Sequence, residues 1–163
     1  MAESNGKKLF MASNTGDTEQ CQFLISQGAN VNNTEEPKGT TPLMGAATMG
    51  HLQICKQLID SGANVNSQTR EDGFCALHGA VSEGHANVIE LLVKSGAQLD
   101  IVDNEGVSPL MVAVQIQHVA LSGFLIESKA DVNARSNDGA TPLIWASQNN
   151  NMDIVHLLFA SNR

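Results

Sequence analysis

The sequence predicts an all-α helical solenoid, a row of stacked helix-turn-helix repeats, on three observations. One phrase recurs four times at intervals of 33 or 34 residues: Gly39-Thr40-Thr41-Pro42-Leu43, Gly73-Phe74-Cys75-Ala76-Leu77, Gly106-Val107-Ser108-Pro109-Leu110 and Gly139-Ala140-Thr141-Pro142-Leu143. A second phrase keeps the same beat: Gly28-Ala29-Asn30-Val31-Asn32, Gly62-Ala63-Asn64-Val65-Asn66, Gly96-Ala97-Gln98-Leu99-Asp100 and Lys129-Ala130-Asp131-Val132-Asn133. Between the two, apolar residues fall at helical spacing, bounded by helix start and stop signals. A fixed period of this size means supersecondary units that bury their faces against neighbours rather than around one central core.

The second repeat shows the elements in order. Thr41 and Pro42 open a first helix, because a Thr hydroxyl accepts an orphan backbone N–H and Pro at the first helical position needs no donor. Leu43, Ala46 and Ala47 share one face at i, i+3, i+4 spacing. Gly50 ends that helix by tolerating left-handed φ, and His51 begins the turn. Ile54, Leu58 and Ile59 repeat the spacing on a second helix, which Gly62 closes before Val65 returns the chain toward the next repeat.

Departures from this pattern are informative. The third repeat opens on Cys75-Ala76 and loses the proline preset. The fourth carries Gln117 in the place of Gly50 or Gly84, and Lys129 in the place of Gly28, Gly62 or Gly96. Non-glycine residues at positive φ cost on the order of 1 kcal/mol each, so the fourth repeat is expected to be the weakest. The segment from Asn66 to Gly73 is seven steps long and that from Asn133 to Gly139 is six, so their tips are expected to project differently. The first repeat has Lys7-Lys8 instead of Thr-Pro. In the last helix Ile154, Leu157 and Leu158 are assigned to the inner stripe, which leaves Val155 and Phe159 as an outer apolar strip covered by missing chain, a partner or a second copy.

The period, with its Thr-Pro-Leu, Gly-His (Gly50-His51, Gly84-His85) and Gly-Ala-Asn-Val-Asn phrases, resembles the ankyrin-repeat family from about Lys7 to Arg163. That resemblance implies two antiparallel helices and a projecting β-hairpin or loop per repeat, with repeats at about 7–33, 34–67, 68–101, 102–134 and 135–163 of a single domain over 1–163. It implies a non-catalytic scaffold that binds other proteins, without a cofactor or metal. By the same resemblance His78 is expected to tie neighbouring hairpins together. Asn32, Asn66 and Asn133 match buried hairpin residues whose amides bond backbone across the turn, and the matching Asn in animal repeats is a hydroxylation target.

Bulk composition narrows the classes further. Aromatics are 4% of the 163 residues and Tyr is absent, so small and aliphatic side chains must fill the core. The formal charge of −8 argues against nucleic-acid binding, which demands clustered Lys and Arg. The inter-repeat segments hold eight acids (Glu35, Glu36, Glu71, Asp72, Asp100, Asp103, Glu105, Asp138) against Lys38, Arg70 and Arg135. No apolar run reaches the roughly 20 residues of a membrane span, so the expectation is a soluble chain. Three cysteines without metal-ligand spacing fit a reducing compartment, hence the cytoplasm or nucleus. Cys21 and Cys55 read as buried apolar residues rather than a disulfide, since packed helices lie about 8–10 Å apart. His51, His85 and His118 share one repeat position, too far apart for one ion at roughly 2 Å bonds, and are expected to hydrogen-bond around their own turns. No phosphate-cradling glycine loop or nucleophile elbow occurs.

The partner-binding surface implied by the resemblance comprises Lys38, Thr40, Thr48, Met49, Glu71, Asp72, Phe74, Ser82, Glu83, Asn104, Glu105, Val107, Gln115, Ile116, Asn137 and Asp138. Phe74 is the preferred anchor, with Val107, Met49 and Ile116 as further surface-facing apolar positions; Trp145 is assigned to packing. The partner is a protein with a basic or mixed basic and apolar surface. A monomer is expected, with weak end-on self-association as the variant state. The alternative function is a regulatory or targeting module of a larger enzyme or channel, cut near residue 163.

Overall fold

The computed structural model describes residues 4–34 and 38–161, which leaves Glu35, Glu36 and Arg163 outside the described residues. Its helices come in pairs, as the repeats require. They are α1 (Asn5–Thr15) and α2 (Thr18–Ser26), α3 (Pro42–Thr48) and α4 (Leu52–Asp60), α5 (Ala76–Ser82) and α6 (Ala86–Lys94), α7 (Pro109–Gln115) and α8 (Val119–Glu127), α9 (Pro142–Gln148) and α10 (Met152–Ser161). The fold is an all-α helical repeat. Among the described residues the segments between pairs form turns and one isolated bridge at Thr40 rather than strands.

Every first helix except α5 opens on a side-chain oxygen. Thr41, Ser108 and Thr141 hydroxyls accept from the Met44, Met111 and Ile144 N–H groups at 3.3–3.4 Å, and Ser4 does the same for Lys7 in α1. At α5 the capping residue is Cys75, whose sulfur faces the His78 backbone N–H, while His78 Nδ1 accepts from the Cys75 N–H at 3.4 Å and lies 3.1 Å from the sulfur. Helix α5 keeps the same seven residues as α3, α7 and α9.

Helix ends explain the two repeated phrases. The N–H groups of Asp17, His51, His85, His118 and Asn151 donate to the carbonyls of Ala12, Ala46, Ala80, Ala113 and Ala146, and those of Ala29, Ala63, Ala97 and Ala130 donate to Leu24, Leu58, Leu92 and Leu125. These six-to-one bonds require the preceding residue in the left-handed region. Glycine fills it at most ends, and Gln117 (φ 58), Lys129 (φ 78) and Asn150 (φ 56) fill it elsewhere. The expected strain at 117 and 129 is therefore present.

Two compact units divide the chain, Met1–Ala97 and Gln98–Arg163. In the first, α3 packs between α1 and α5, and α4 between α2 and α6. Leu9, Leu43 and Leu77 are its buried first-helix leucines; Ile54, Leu58, Ile89 and Leu92 fill the second-helix layer. Close approach of first helices needs glycine: a Cβ on Gly45 would collide with Asn14 Oδ1, and one on Gly79 with Thr48 Oγ1. In the second unit α7 packs on α9 and α8 on α10, around Leu110, Leu125, Ile154 and Leu158.

The second helices α4, α6, α8 and α10 bury an i, i+1, i+4 set, not the i, i+4, i+5 set expected from Ile54, Leu58 and Ile59. Ile54, Cys55 and Leu58 are buried while Ile59 is half-buried. The same slots bury Val88, Ile89 and Leu92, then Leu121, Ser122 and Leu125, then Ile154, Val155 and Leu158. This corrects the last helix. Val155 occupies the inward slot that holds Cys55, at 8% exposure, and Leu157 is half-buried, so Phe159 at 57% stands without an adjoining strip. The outer patch proposed as a self-association surface does not form.

Two couplings between repeats also differ from expectation. His51 and His85 do not close their own turns: their Nε2 atoms lie 3.2 and 2.9 Å from the carbonyl oxygens of Asn14 and Thr48 in the preceding repeat. His118 alone stays local, its Nδ1 accepting from the Leu121 N–H at 3.3 Å. Asn32 is exposed rather than buried and reaches forward, with Nδ2 donating to Gly62 O at 3.1 Å and Oδ1 accepting from Asn64 N at 2.7 Å. Asn66 Nδ2 donates likewise to Gly96 O at 3.1 Å. Asp100 Oδ1 accepts from Asp131 N at 2.7 Å but has no amide to donate. Asn133 is exposed and Asn66 half-buried, so none of the three asparagines expected to be buried is so.

Candidate protein-interaction surface

Turns position the expected surface. In the first unit the tip from Thr69 to Phe74 closes by a five-step bond, Thr69 N–H to Phe74 O at 2.8 Å, and Thr69 Oγ1 accepts from the Phe74 N–H at 2.9 Å. In the second unit the tips close in four steps, Asp103 N–H to Val107 O and Ser136 N–H to Ala140 O, both 3.0 Å. The difference in segment length thus lies in the tip itself. Burial of the residue after the tip glycine follows it: Thr40 and Phe74 are half-buried, whereas Val107 (7%) and Ala140 (9%) are buried. Val107 is accordingly corrected from a surface-facing residue to a packed one.

Neighbouring tips are joined by main chain. Arg70 N–H donates to Lys38 O and Asn137 N–H to Glu105 O, each at 2.8 Å. Asn137 Nδ2 also donates to Asn104 O at 2.8 Å, and its Oδ1 sits where a Cβ on Gly106 would have to go. Asp103 Oδ1 holds its own tip by accepting from the Glu105 and Val107 N–H groups at 2.9 and 2.8 Å. Part of the acidic row is therefore structural. Glu71, Asp72, Glu105 and Asp138 remain exposed, as do Lys38, Ser82, Glu83, Asn104, Gln115, Ile116 and Asn137.

Of the expected residues Thr40, Thr48, Met49 and Phe74 line a cleft of about 260 Å³ in the first unit, together with Asn14, Met44, Gly45, Thr69, Cys75 and Gly79. Phe74 forms one wall, its ring 5.1 Å from the buried His78 ring. Met49 is 55% exposed at the end of α3. Thr48 is held by its neighbours, donating from Oγ1 to Met44 O at 2.9 Å while its carbonyl faces His85. Met44, Thr69 and Cys75 were missed as lining residues because the sequence pattern assigns them to the core or to turns.

In the second unit a cleft of about 280 Å³ is lined by Asn104, Glu105, Val107, Ser136, Asn137, Asp138 and Trp145. Trp145 is half-buried and also lines an adjoining cleft with Gln115, Gln148 and Asn149. Its assignment to packing is thus incomplete. Asp138 is held as a carboxylate below its ordinary range by the Ser136 hydroxyl, which donates to Oδ1, and by the Ala140 N–H at 3.2 Å. Burial pushes all three thiols up, Cys55 to about 12, which leaves them protonated and poorly nucleophilic. Among the described residues no three His, Cys, Asp or Glu side chains assemble into a metal-binding group, and no helix is long and apolar enough to cross a membrane.

Paired helices, tip-joined turns and shallow clefts on the turn side define a helical-repeat protein with its polar chemistry on the turns. The family described as ankyrin repeats, in three copies, matches residues 9–103 and 90–163, and the chain belongs to that family. Ankyrin repeats are generally protein-interaction modules and typically non-catalytic. Curated proteins give no match to the chain.

Proposed function

We propose that the chain is a non-catalytic scaffold that binds a protein partner through its tips and the adjoining ends of its first helices, and that the partner presents a basic or mixed basic and apolar segment. The observation that supports this reading is the Phe74–Met49 cleft, an apolar recess lined by Thr69 and Phe74, the two ends of the tip that carries the exposed Glu71 and Asp72. Such a recess takes an apolar side chain, and the flanking acids steer cationic neighbours and fix register. A framework fixed by tip-to-tip main-chain bonds loses little conformational entropy on binding.

The test is selection of ligands from a displayed random-peptide library, followed by affinity measurement on variants. Phe74→Ala with Met49→Ala is expected to weaken selected peptides by about tenfold or more, with the melting temperature within a few degrees of wild type. Charge reversal at Glu71 and Asp72 is expected to slow association and flatten its salt dependence. Peptides that bind all variants equally, or that are uniformly acidic, would count against the surface.

A further inference from the structure

We propose that the cleft around Trp145 is a subsite for a single basic side chain, arginine or lysine, of the bound partner. The proposal deepens the protein-binding reading above and rests on it. Three features of the second unit combine here. First, the indole of Trp145 is half-buried and lines the cleft from α9, so one part is held by packing and another faces ligand space. An aromatic ring held in this way attracts a cation through its quadrupole, most strongly when the ring is indole.

Second, the rim carries two carboxylates, Glu105 and Asp138, on two different tips. Those tips are locked together by the Asn137 N–H to Glu105 O bond and the Asn137 amide to Asn104 O bond. Both hydrogen bonds that fix the Asp138 carboxylate end on Oδ1, leaving Oδ2 to accept from a guanidinium or ammonium. Third, the charges are unneutralised locally. Neither Glu105 nor Asp138 is paired with a cation among the described residues, and the nearby Arg135 guanidinium is held on its own backbone, donating from Nη1 to Gly139 O at 3.4 Å. An indole lining a cleft with two carboxylates, one of them fixed by hydrogen bonds, suits a side chain with an apolar stem and a cationic end.

The protein supplies its own probe, because Trp145 is the only tryptophan and there is no tyrosine. Titrating the full chain with short Gly/Ser peptides carrying one central arginine or lysine is expected to change Trp145 emission saturably, and added NaCl is expected to weaken the binding. The matching citrulline peptide, of the same shape without the charge, is expected to bind at least roughly tenfold more weakly. Glu105→Gln is expected to weaken the arginine peptide severalfold; its side chain has no role in the fold, so this variant reports on the site even if Asp138→Asn disturbs its turn. Equal emission changes with arginine and citrulline, no saturable change at all, or an unaltered affinity in Glu105→Gln would overturn the subsite. If selected peptides still depend on Phe74 while Trp145 ignores basic peptides, the subsite alone fails and the wider binding surface stands.

Discussion

His85 reaches back across 37 residues to place Nε2 at 2.9 Å from the Thr48 carbonyl oxygen, and its ring passes over Gly50, where an added Cβ would lie 2.7 Å from Cε1. Gly62 also has a positive φ (88°, against 74° at Gly50) but nothing within 4 Å of an added Cβ. The pair separates backbone strain from crowding. Gly62→Ala should lower stability by about 1 kcal/mol, and Gly50→Ala by about 2–3 kcal/mol, since overpacking adds to the strain. Urea denaturation of both in wild-type and His85→Ala backgrounds checks this. Equal losses, or an excess at Gly50 that persists without His85, would show that the ring does not press on that position.

Lys129 holds φ 78 at the end of α8, where the equivalent residues are Gly28, Gly62 and Gly96. Lys129→Gly is expected to raise stability by about 1 kcal/mol, because glycine enters the left-handed region without Cβ crowding. A lower melting temperature for this variant would overturn the expectation that the fourth repeat is the weakest.

The Ser122 hydroxyl is buried without a hydrogen-bond partner among the described residues, in the slot that elsewhere holds Cys21, Cys55, Ile89 and Val155. An orphaned buried hydroxyl costs roughly 1–3 kcal/mol. Ser122→Ala should therefore stabilise the chain by about 1 kcal/mol, and Ser122→Cys by a similar amount. Destabilisation by both in thermal melts would mean that the hydroxyl has a partner, such as a bound water.

Burial at Val155 and exposure at Phe159 predict opposite outcomes on one helix. Val155→Glu inserts an uncompensated charge into the α8–α10 contact and should cost on the order of 3 kcal/mol or more. Phe159→Lys should change stability by less than about 0.5 kcal/mol. Circular-dichroism melts of the two single variants distinguish these positions; a tolerated Val155→Glu would restore the outer strip.

Much of the fold was legible because the stop signals are chemical. Glycine at most helix ends, and Gln117 and Lys129 in its place, mark a left-handed residue before any coordinates are known. The second-helix register was harder to read. Ile59 and Leu157 are large and apolar, so a count of apolar residues drew the stripe through them, while Cys55 and Ser122, small and partly polar, marked the true inward slot. Treating Cys21 and Cys55 as buried and carrying that slot forward by the repeat period leads to Val155. The candidate surface was less legible still, since Val107 and Phe74 occupy equivalent sequence positions and differ in burial with the length of the turn before them. Trp145 could not be placed by pattern because the equivalent residues are Gly45, Gly79 and the buried Val112, none as large as an indole. The reach of His85 to Thr48 and of Asn32 to Gly62 joins residues 30 or more apart, beyond any local rule.

The forward reach of Asn32, Asn66 and Asp100 has an asymmetry with its own consequence. One partner is a single side chain; the other is main chain, which every residue but proline supplies in full. Substitution in the main-chain turn by any residue but proline leaves the joint standing, and the side chain itself can change from amide to carboxylate and still accept from the main-chain N–H, as Asp100 does. Each joint therefore constrains a single letter of the text, so repeats that have diverged widely from one another still fit, and insertion or excision of a whole repeat would leave matching ends.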